Sequence, residues 1–535
     1  MNMNMNFDYV IVGAGSAGCV LANRLSADGK STVLLLEAGP PDTYPWIHVP
    51  IGYGKTMFHP VLNWGFNSEP EPHLNGRRMY TPRGRTLGGS SAINGMIHIR
   101  GQHQDFDLWE SMGAAGWGSR EALRYFIKSE GNSRGANAYH GADGPLAVSD
   151  IAERHELATA FIAGAGELGV PPTEDFNGEN PEGAGYLQLT TKNGWRCSTA
   201  TGYLKPARRR SNLTVLTDAH AGRVLFEGKR ATGVEFAKDG KTVQARAHRE
   251  VLLCAGAIQS PQLLQLSGVG PPDLLGQTGV PVLHALAGVG ENLQDHLVLR
   301  FVFKCTKPIT TNDALRNPLA KLMTGLRYVL LRRGPMAVGV MVGMVSTRAM
   351  AESKTADTHY FISTVSAEDR GKTPHTFSGF TVAYYLLRPT SRGTVQIRSK
   401  DPMAAPAMLF NYLSTDYDRA GMLAGARMTR KLTQTRALAP YILEEYLPGM
   451  SLQSDEELLG TVRGAGNTGY HPVGTCRMGR DPLAVVDPRL KVYGVEALRV
   501  VDASVMPTLV SGNTNAATIM IAEKGADMIL EDRAG

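Results

Sequence analysis

The stretch GNTGYHPVGTCRMG (Gly466 to Gly479) sets His471 among small residues, shortly ahead of Cys476 and Arg477. Four kinds of chemistry place a histidine in such a loop: metal ligation, partnership with a nucleophile, core packing and proton transfer. A neutral imidazole, with an ordinary pKa of about 6.5, suits proton transfer near neutral pH. Zinc would require further ligands at short spacing, and nothing near His471 offers them, so no metal is expected. Ser511 follows in the chain, but no GxSxG elbow is present to present a serine nucleophile. On the residues alone the packed-core reading stays open. A second run, SGNTNAATIM (Ser511 to Met520), puts Asn513 and Asn515 ahead of an apolar helical pattern. An amide there either caps the helix or holds a substrate oxygen, and for Asn513 the two readings weigh evenly.

These side chains need a frame. YVIVGAGSAGCVLANRLSADGKSTVLLLEAG (Tyr9 to Gly39) runs from an apolar strand through Gly13, Gly15 and Gly18 into a helix with Leu21 and Leu25, then into a second strand closing on Glu37. The glycines permit a tight turn and close backbone approach, and the helix start they open, with Ser16 and Ala17, suits a pyrophosphate. Glu37 stands where a carboxylate accepts ribose hydroxyls. Dinucleotide binding is expected, with FAD and NAD not separated by these residues. A strand-rich segment from Asn212, with turns at Gly228-Lys229 and Asp239-Gly240, ends in EVLLCAGAI, again strand into glycine into helix. The nucleotide fold is therefore expected to be interrupted and resumed.

Between about 300 and 455 the pattern changes. TGLRYVLLRRG and DRAGMLAGARMTRKLTQTRAL read as helices, and HYFISTVS, FTVAYYLLRP and GTVQIRS between them as strands. MAVGVMVGMV (Met336 to Val345) reads as a core strand or loop, SREALRYFIKSEG as a helix, LRVVDASVMP as a strand and AATIMIAEKGADMILE as a closing helix. The fold class is α/β: a Rossmann-like domain of residues 1–155, 196–300 and 460–535, interleaved with an α+β substrate domain, a sheet with helices on one face, of residues 156–195 and 301–459.

Bulk composition agrees with two domains: 535 residues, 43% hydrophobic and 19% charged, exceed what one core usually spans. The net charge of +6 is scattered, and Arg208-Arg209-Arg210 is the one compact basic run, so no nucleic-acid partner is expected. Cys19, Cys197, Cys254, Cys305 and Cys476 are widely spaced without a CxxC, which points to a reducing compartment. The first ten residues lack a basic and apolar leader, and no run approaches the length of a spanning helix. A cytoplasmic place is expected, with peripheral attachment at the inner face of the cell membrane and oligomerisation left open.

GRTLGGSSAIN (Gly84 to Asn94) and GAIQSPQLLQLSGVG (Gly256 to Gly270) resemble the two signature motifs of the glucose-methanol-choline flavoprotein oxidoreductases. With the N-terminal glycine turn, HPVGTCRMG and DASVMPTLVSGNTNAATIMIAEK, the resemblance spans the chain in family order. It implies FAD, and it implies that His471 faces the flavin as the base in alcohol oxidation, with Asn515 holding the substrate oxygen. It places Leu87, Gly88 and Gly89 and Asn94, Gly95 and Met96 along the flavin, Ala221 at adenine, Asp502 and Ala503 on the pyrophosphate side, and Ala516, Ala517 and Thr518 at the pyrimidine end. Ile93 stands where some relatives carry a histidine bonded to the flavin, so noncovalent FAD is implied. The first signature departs at His98. HPVGTC resembles bacterial members acting on aliphatic primary alcohols and polyethylene glycol, where choline dehydrogenases carry HPSCTC. The implied reaction is oxidation of a primary alcohol to an aldehyde, with a quinone or other electron acceptor. Choline dehydrogenation, oxygen-using alcohol oxidation and flavin binding without turnover are the alternatives.

Overall fold

The computed structural model describes residues 5–339, 341–368 and 373–534. The first four residues of the N-terminal reading, and Val340 within the apolar run Met336 to Val345, lie outside them.

Two sheets organise the chain. The first follows from the valine- and leucine-rich runs near the N-terminus, which are buried on both faces and so pair in parallel. Its spatial order is Leu213–Leu216, Val33–Leu36, Met5–Val12, Lys241–Leu253, Arg230–Lys238, His220–Glu227. Leu498–Val500 pairs in parallel with the end of Lys241–Leu253, while the start of that long strand pairs antiparallel with Arg230–Lys238. The strand Met5–Val12 thus lies beside strands drawn from residues far down the chain, the interruption and resumption that the sequence pattern implies. The helix Ser16–Leu25 packs on Thr514–Ala534, tied by Arg24 to the buried Glu523 at 2.6 Å.

The second sheet is antiparallel in the order Ile442–Leu447, Leu297–Cys305, Gly379–Leu386, Thr358–Ser363, Met341–Thr347, Gly183–Tyr186. Asn467–Thr468 pairs with Leu297–Val298. Helices Glu156–Glu167 and Asp416–Thr433 cover one face. Alternation along the strands sorts the side chains. Tyr384 points to the helices, where its hydroxyl donates to Met422 O at 2.6 Å, and a Cβ at Gly425 would lie only 2.2 Å from its ring. Its neighbours Ala383 and Tyr385 face the other way, into a cleft shared with the first sheet. Thr394–Gln396, expected as a strand, forms a separate pair with Ala407–Leu409 and does not join this sheet. Among the described residues no helix is long and apolar enough to cross a membrane. The five cysteines are buried and unpaired.

Candidate active site

The cleft between the sheets has a volume of about 340 Å³ and runs from Glu37 and Ala221 at one end, past the glycine turn and Asp502, to His471 at the other. The turn is built by close approach. Gly13 has φ +99°, and a Cβ on it would sit 2.6 Å from Cys254 O. A Cβ on Gly89, at φ +51°, would sit 2.6 Å from Gly15 Cα. Neither position admits a larger side chain, so bare backbone faces the cleft there. Both Glu37 oxygens accept backbone N–H groups, from Ala14 at 3.0 Å and Gly39 at 2.9 Å. Burial pushes its carboxyl up to about 7. Each oxygen keeps a lone pair for a hydroxyl. Asp502 accepts from Gly256 N–H at 2.8 Å and from the Ser260 hydroxyl at 2.5 Å, holding the second strand-to-helix turn against the first.

Ser16, Ala17, Gly89, Asn94, Gly95, Met96, Ala503 and Thr518 also line the cleft. Met96 takes a positive φ of 63°, and Asn94 Oδ1 accepts from Met96 N–H at 3.1 Å and from Arg196 at 2.7 Å. Five expected contacts sit behind the wall instead. Gly18 packs on Gly13, Gly88 donates its N–H to Ala14 O at 2.7 Å, and Leu87, Ala516 and Ala517 are buried. They shape the turns without lining the cleft, because a side chain or amide one step along a tight turn or helix start points to the other side. His98 turns away from the cleft, 3.2 Å from the buried Glu130.

His471 is positioned from below. Asn467–Thr468 pairs with Leu297–Val298, which brings the following residues over the Asp295-His296 dipeptide. Asp295 accepts from His471 N–H at 2.7 Å, from the Tyr412 hydroxyl at 2.6 Å and from the Thr468 hydroxyl. Gly469 donates to His296 O at 2.6 Å, and a Cβ there would lie 3.0 Å from His296 and 3.2 Å from His471 Nδ1. Tyr470 is held at φ +67°, a strained turn directly before the imidazole.

The ring's two nitrogens have different partners. His296 Nε2 lies 2.9 Å from Leu387 O, which can only accept, so His296 carries its proton there and offers Nδ1 as an acceptor. His471 Nδ1, 2.9 Å from His296 Nδ1, must then be the donor. That leaves His471 Nε2 unprotonated, and the Asn513 amide donates to it at 2.9 Å. Burial, then the neighbouring His296, Arg83 and His359, hold the His471 pKa well below the ordinary histidine value. The cleft therefore presents a neutral imidazole with a bare Nε2, next to an amide donor.

That donor is Asn513; Asn515, expected to hold the substrate oxygen, is turned elsewhere. Asn515 lines the cleft, but its Oδ1 accepts from the Ser16 hydroxyl at 2.7 Å, beside the glycine turn. The helix begins at Thr514, so residues 513 and 515 leave its start in different directions. Ser511, weighed above as a nucleophile, donates to the buried Asp105 at 2.7 Å. No group of three or more His, Cys, Asp or Glu is placed to hold a metal ion among the described residues. His296 and Asp295 escaped the sequence reading. Their signal is the tandem Asp-His that closes ENLQDH ahead of an alternating strand.

Comparison with known proteins decides the family. Models described as GMC oxidoreductase match residues 7–298 and 389–522. The chain belongs to the GMC oxidoreductase family. It is 44% identical to the mitochondrial choline dehydrogenase of Homo sapiens over 98% of this chain and 89% of the relative. It is 42% identical to an alcohol dehydrogenase [acceptor] of Pseudomonas putida, over 98% of this chain and 96% of that protein. A solved structure of a formate oxidase from Aspergillus oryzae RIB40, whose FAD it describes, superposes with a TM-score of 0.93 at 27% identity, covering 100% of this chain and 99% of that one. As a GMC oxidoreductase the chain is an enzyme acting on CH–OH donors, and FAD is its cofactor. The cradle fits that group: bare glycine backbone at Gly13, Gly15 and Gly89, carboxylates at Glu37 and Asp502, and the neutral His471 imidazole in the same cleft.

Proposed function

We propose that the enzyme oxidises an uncharged primary alcohol, an aliphatic alcohol or the terminal hydroxyl of a polyethylene glycol, to its aldehyde. Bound FAD, held noncovalently at Ile93, supplies the acceptor for the hydride. Gly13, Gly15, Ser16, Ala17 and Glu37 anchor its pyrophosphate and ribose and Ala221 its adenine, with Asp502, Ala503 and the start of the helix at Thr514 completing the cradle. The Asn513 amide holds the substrate oxygen, and His471 Nε2 takes the proton from that oxygen as hydride leaves the carbon bearing it, which leaves a C=O. His296 keeps that nitrogen bare. The single observation carrying this reading is the direction of the His296–His471–Asn513 chain, which ends at an unprotonated nitrogen in the cleft. The division into residues 1–155, 196–300 and 460–535 for the cofactor and 156–195 and 301–459 for the substrate goes with this proposal, as do a quinone or similar acceptor and a place at the inner face of the cell membrane.

Charge at the substrate end supports an uncharged alcohol. Arg83 and Arg300 line the cleft, and the acidic residues lining it among those described, Glu37 and Asp502, belong to the cofactor end. Arg300 makes no ion pair among the described residues, and its Nε is buried without a partner. A quaternary ammonium would meet two cations. Choline is the second reading, favoured by the relatives and by Trp64, Phe361 and Tyr385 in the same wall, which could face a cation. A panel of alkanols, polyethylene glycols and choline, run anaerobically with dye and again with oxygen, separates these readings. Alkanols should exceed choline in kcat/KM by about tenfold or more, and Arg300→Ala should narrow the gap. Higher kcat/KM for choline in the parent enzyme would make it a choline dehydrogenase, and stoichiometric peroxide without dye would make it an oxidase.

A further inference from the structure

The helix Pro318–Leu331 is turned the wrong way round for a globular protein. Leu319, Leu322, Met323, Leu326 and Leu330 recur at the spacing of one helical stripe, the pattern that ordinarily faces a core. Here the stripe faces out: these side chains are 67%, 58%, 57%, 44% and 75% exposed. The opposite side of the helix carries Tyr328, the buried side chain of the segment, whose hydroxyl donates to Gly194 O at 3.0 Å and whose ring meets Trp195 edge-on. Arg327 adds an ion pair to Glu153 at 2.9 Å. Tyr328 and the Arg327 ion pair help hold the helix with its apolar face to solvent, an area of the kind that marks an interaction surface.

Charge says what that surface meets. From Ala314 to Met350 the sequence holds Arg316, Lys321, Arg327, Arg332, Arg333 and Arg348 and no aspartate or glutamate. Arg316, Lys321 and Arg333 have no ion-pair partner among the described residues, while Arg332 stacks on the Trp195 ring. An apolar stripe with unpaired cations beyond both its ends and one, Lys321, on the opposite face, on a helix too short to span, is the pattern that lies flat in the headgroup layer of an anionic bilayer. The helix is also coupled to the cleft. Its C-terminal end passes through the turn Pro335–Ala337, packed on Pro50–Gly52, to Met341, and Pro50–Gly52 leads to Tyr53; Met341 and Tyr53 both line the cleft.

We propose that the helix Pro318–Leu331 docks on an anionic phospholipid surface, its leucines in the acyl boundary and its cations at the headgroups, with the Tyr53 and Met341 edge of the cleft beside the membrane. This docking deepens the membrane placement proposed above; flotation reads it without turnover, so its failure is distinguishable from failure of the alcohol reading. Purified holoenzyme is floated through a density gradient with vesicles of phosphatidylcholine, either pure or containing about a third phosphatidylglycerol. The parent should rise with the anionic vesicles, less so at high salt. The triple variant Leu322→Glu, Leu326→Glu, Leu330→Glu should lose the bound fraction by about tenfold or more, with dye-coupled activity on a soluble alcohol within about twofold of the parent. Lys321→Glu with Arg333→Glu should abolish the preference for the anionic lipid. A parent that stays at the bottom with both vesicles, or a triple variant that floats as the parent does, overturns the proposal. So does a parent that sediments as a dimer without floating while the triple variant is monomeric, which would assign the stripe to a second copy of the chain.

Discussion

The geometry at His471 turns on one proton. Leu387 O fixes the proton of His296, His296 fixes that of His471, and Nε2 is left bare to accept from the Asn513 amide. An imidazole held neutral by burial and by neighbouring histidines and Arg83 keeps its basic nitrogen well into acid. Protonation would remove the base, so kcat/KM should fall with pH only below the ordinary histidine value of about 6.5. A limb at or above that value, measured as a full pH profile, would contradict the placement. His471 itself was legible because its loop carries family spacing around it. Asn513 was not: two asparagines two positions apart look alike in sequence, and which faces the imidazole depends on where the helix begins. Asn513→Ala should slow flavin reduction by about 10²-fold with flavin retained, whereas Asn515→Ala, which removes the acceptor of the Ser16 hydroxyl, should spare the rate more and weaken flavin retention. Equal losses of rate in both, read by anaerobic stopped-flow, would sink that assignment.

At the level of elements, the sequence pattern predicted the local pairings and the resumption of the first sheet, but not which distant residues meet in the second. The strand-turn-helix-strand at the N-terminus and the hairpins after Asn212 are written in local alternation, and both appear. Thr394–Gln396 has strand composition but lies in a small pair of its own, because nothing in its residues specifies a partner. The helix Pro318–Leu331 was legible as a helix, yet its pattern alone would bury the face that the structure exposes. The catalytic loop depends on such a distant pairing, Thr468 on Leu297, and on the bare backbone of Gly469. Gly469→Ala inserts a methyl against His296 and His471, so the loop must lift. It should cost about 1–3 kcal/mol of stability and about tenfold in reduction rate, seen together in a melting curve and a single-turnover trace. Unchanged values in both would mean that the loop has more room than the geometry shows.

The whole molecule divides its labour between two sheets that meet along one cleft. The proposed cofactor anchors Gly13, Gly15, Glu37, Ala221 and Asp502 line the cleft from the first sheet and its turns. His471, the proposed base, rests on the second, through Asn467–Thr468 and the Asp295-His296 dipeptide. Removing the base should therefore leave the cofactor in place. The measurement that bears most directly on the account is anaerobic reduction of the bound flavin by a primary alcohol in His471→Ala. The variant should purify yellow, with flavin content matching the parent, and its reduction rate should fall by about 10²-fold or more, the low end of what a positioned base supplies. Loss of flavin or failure to fold, or a reduction rate close to the parent's, would show instead that His471 is a packed core histidine and that the proton goes elsewhere.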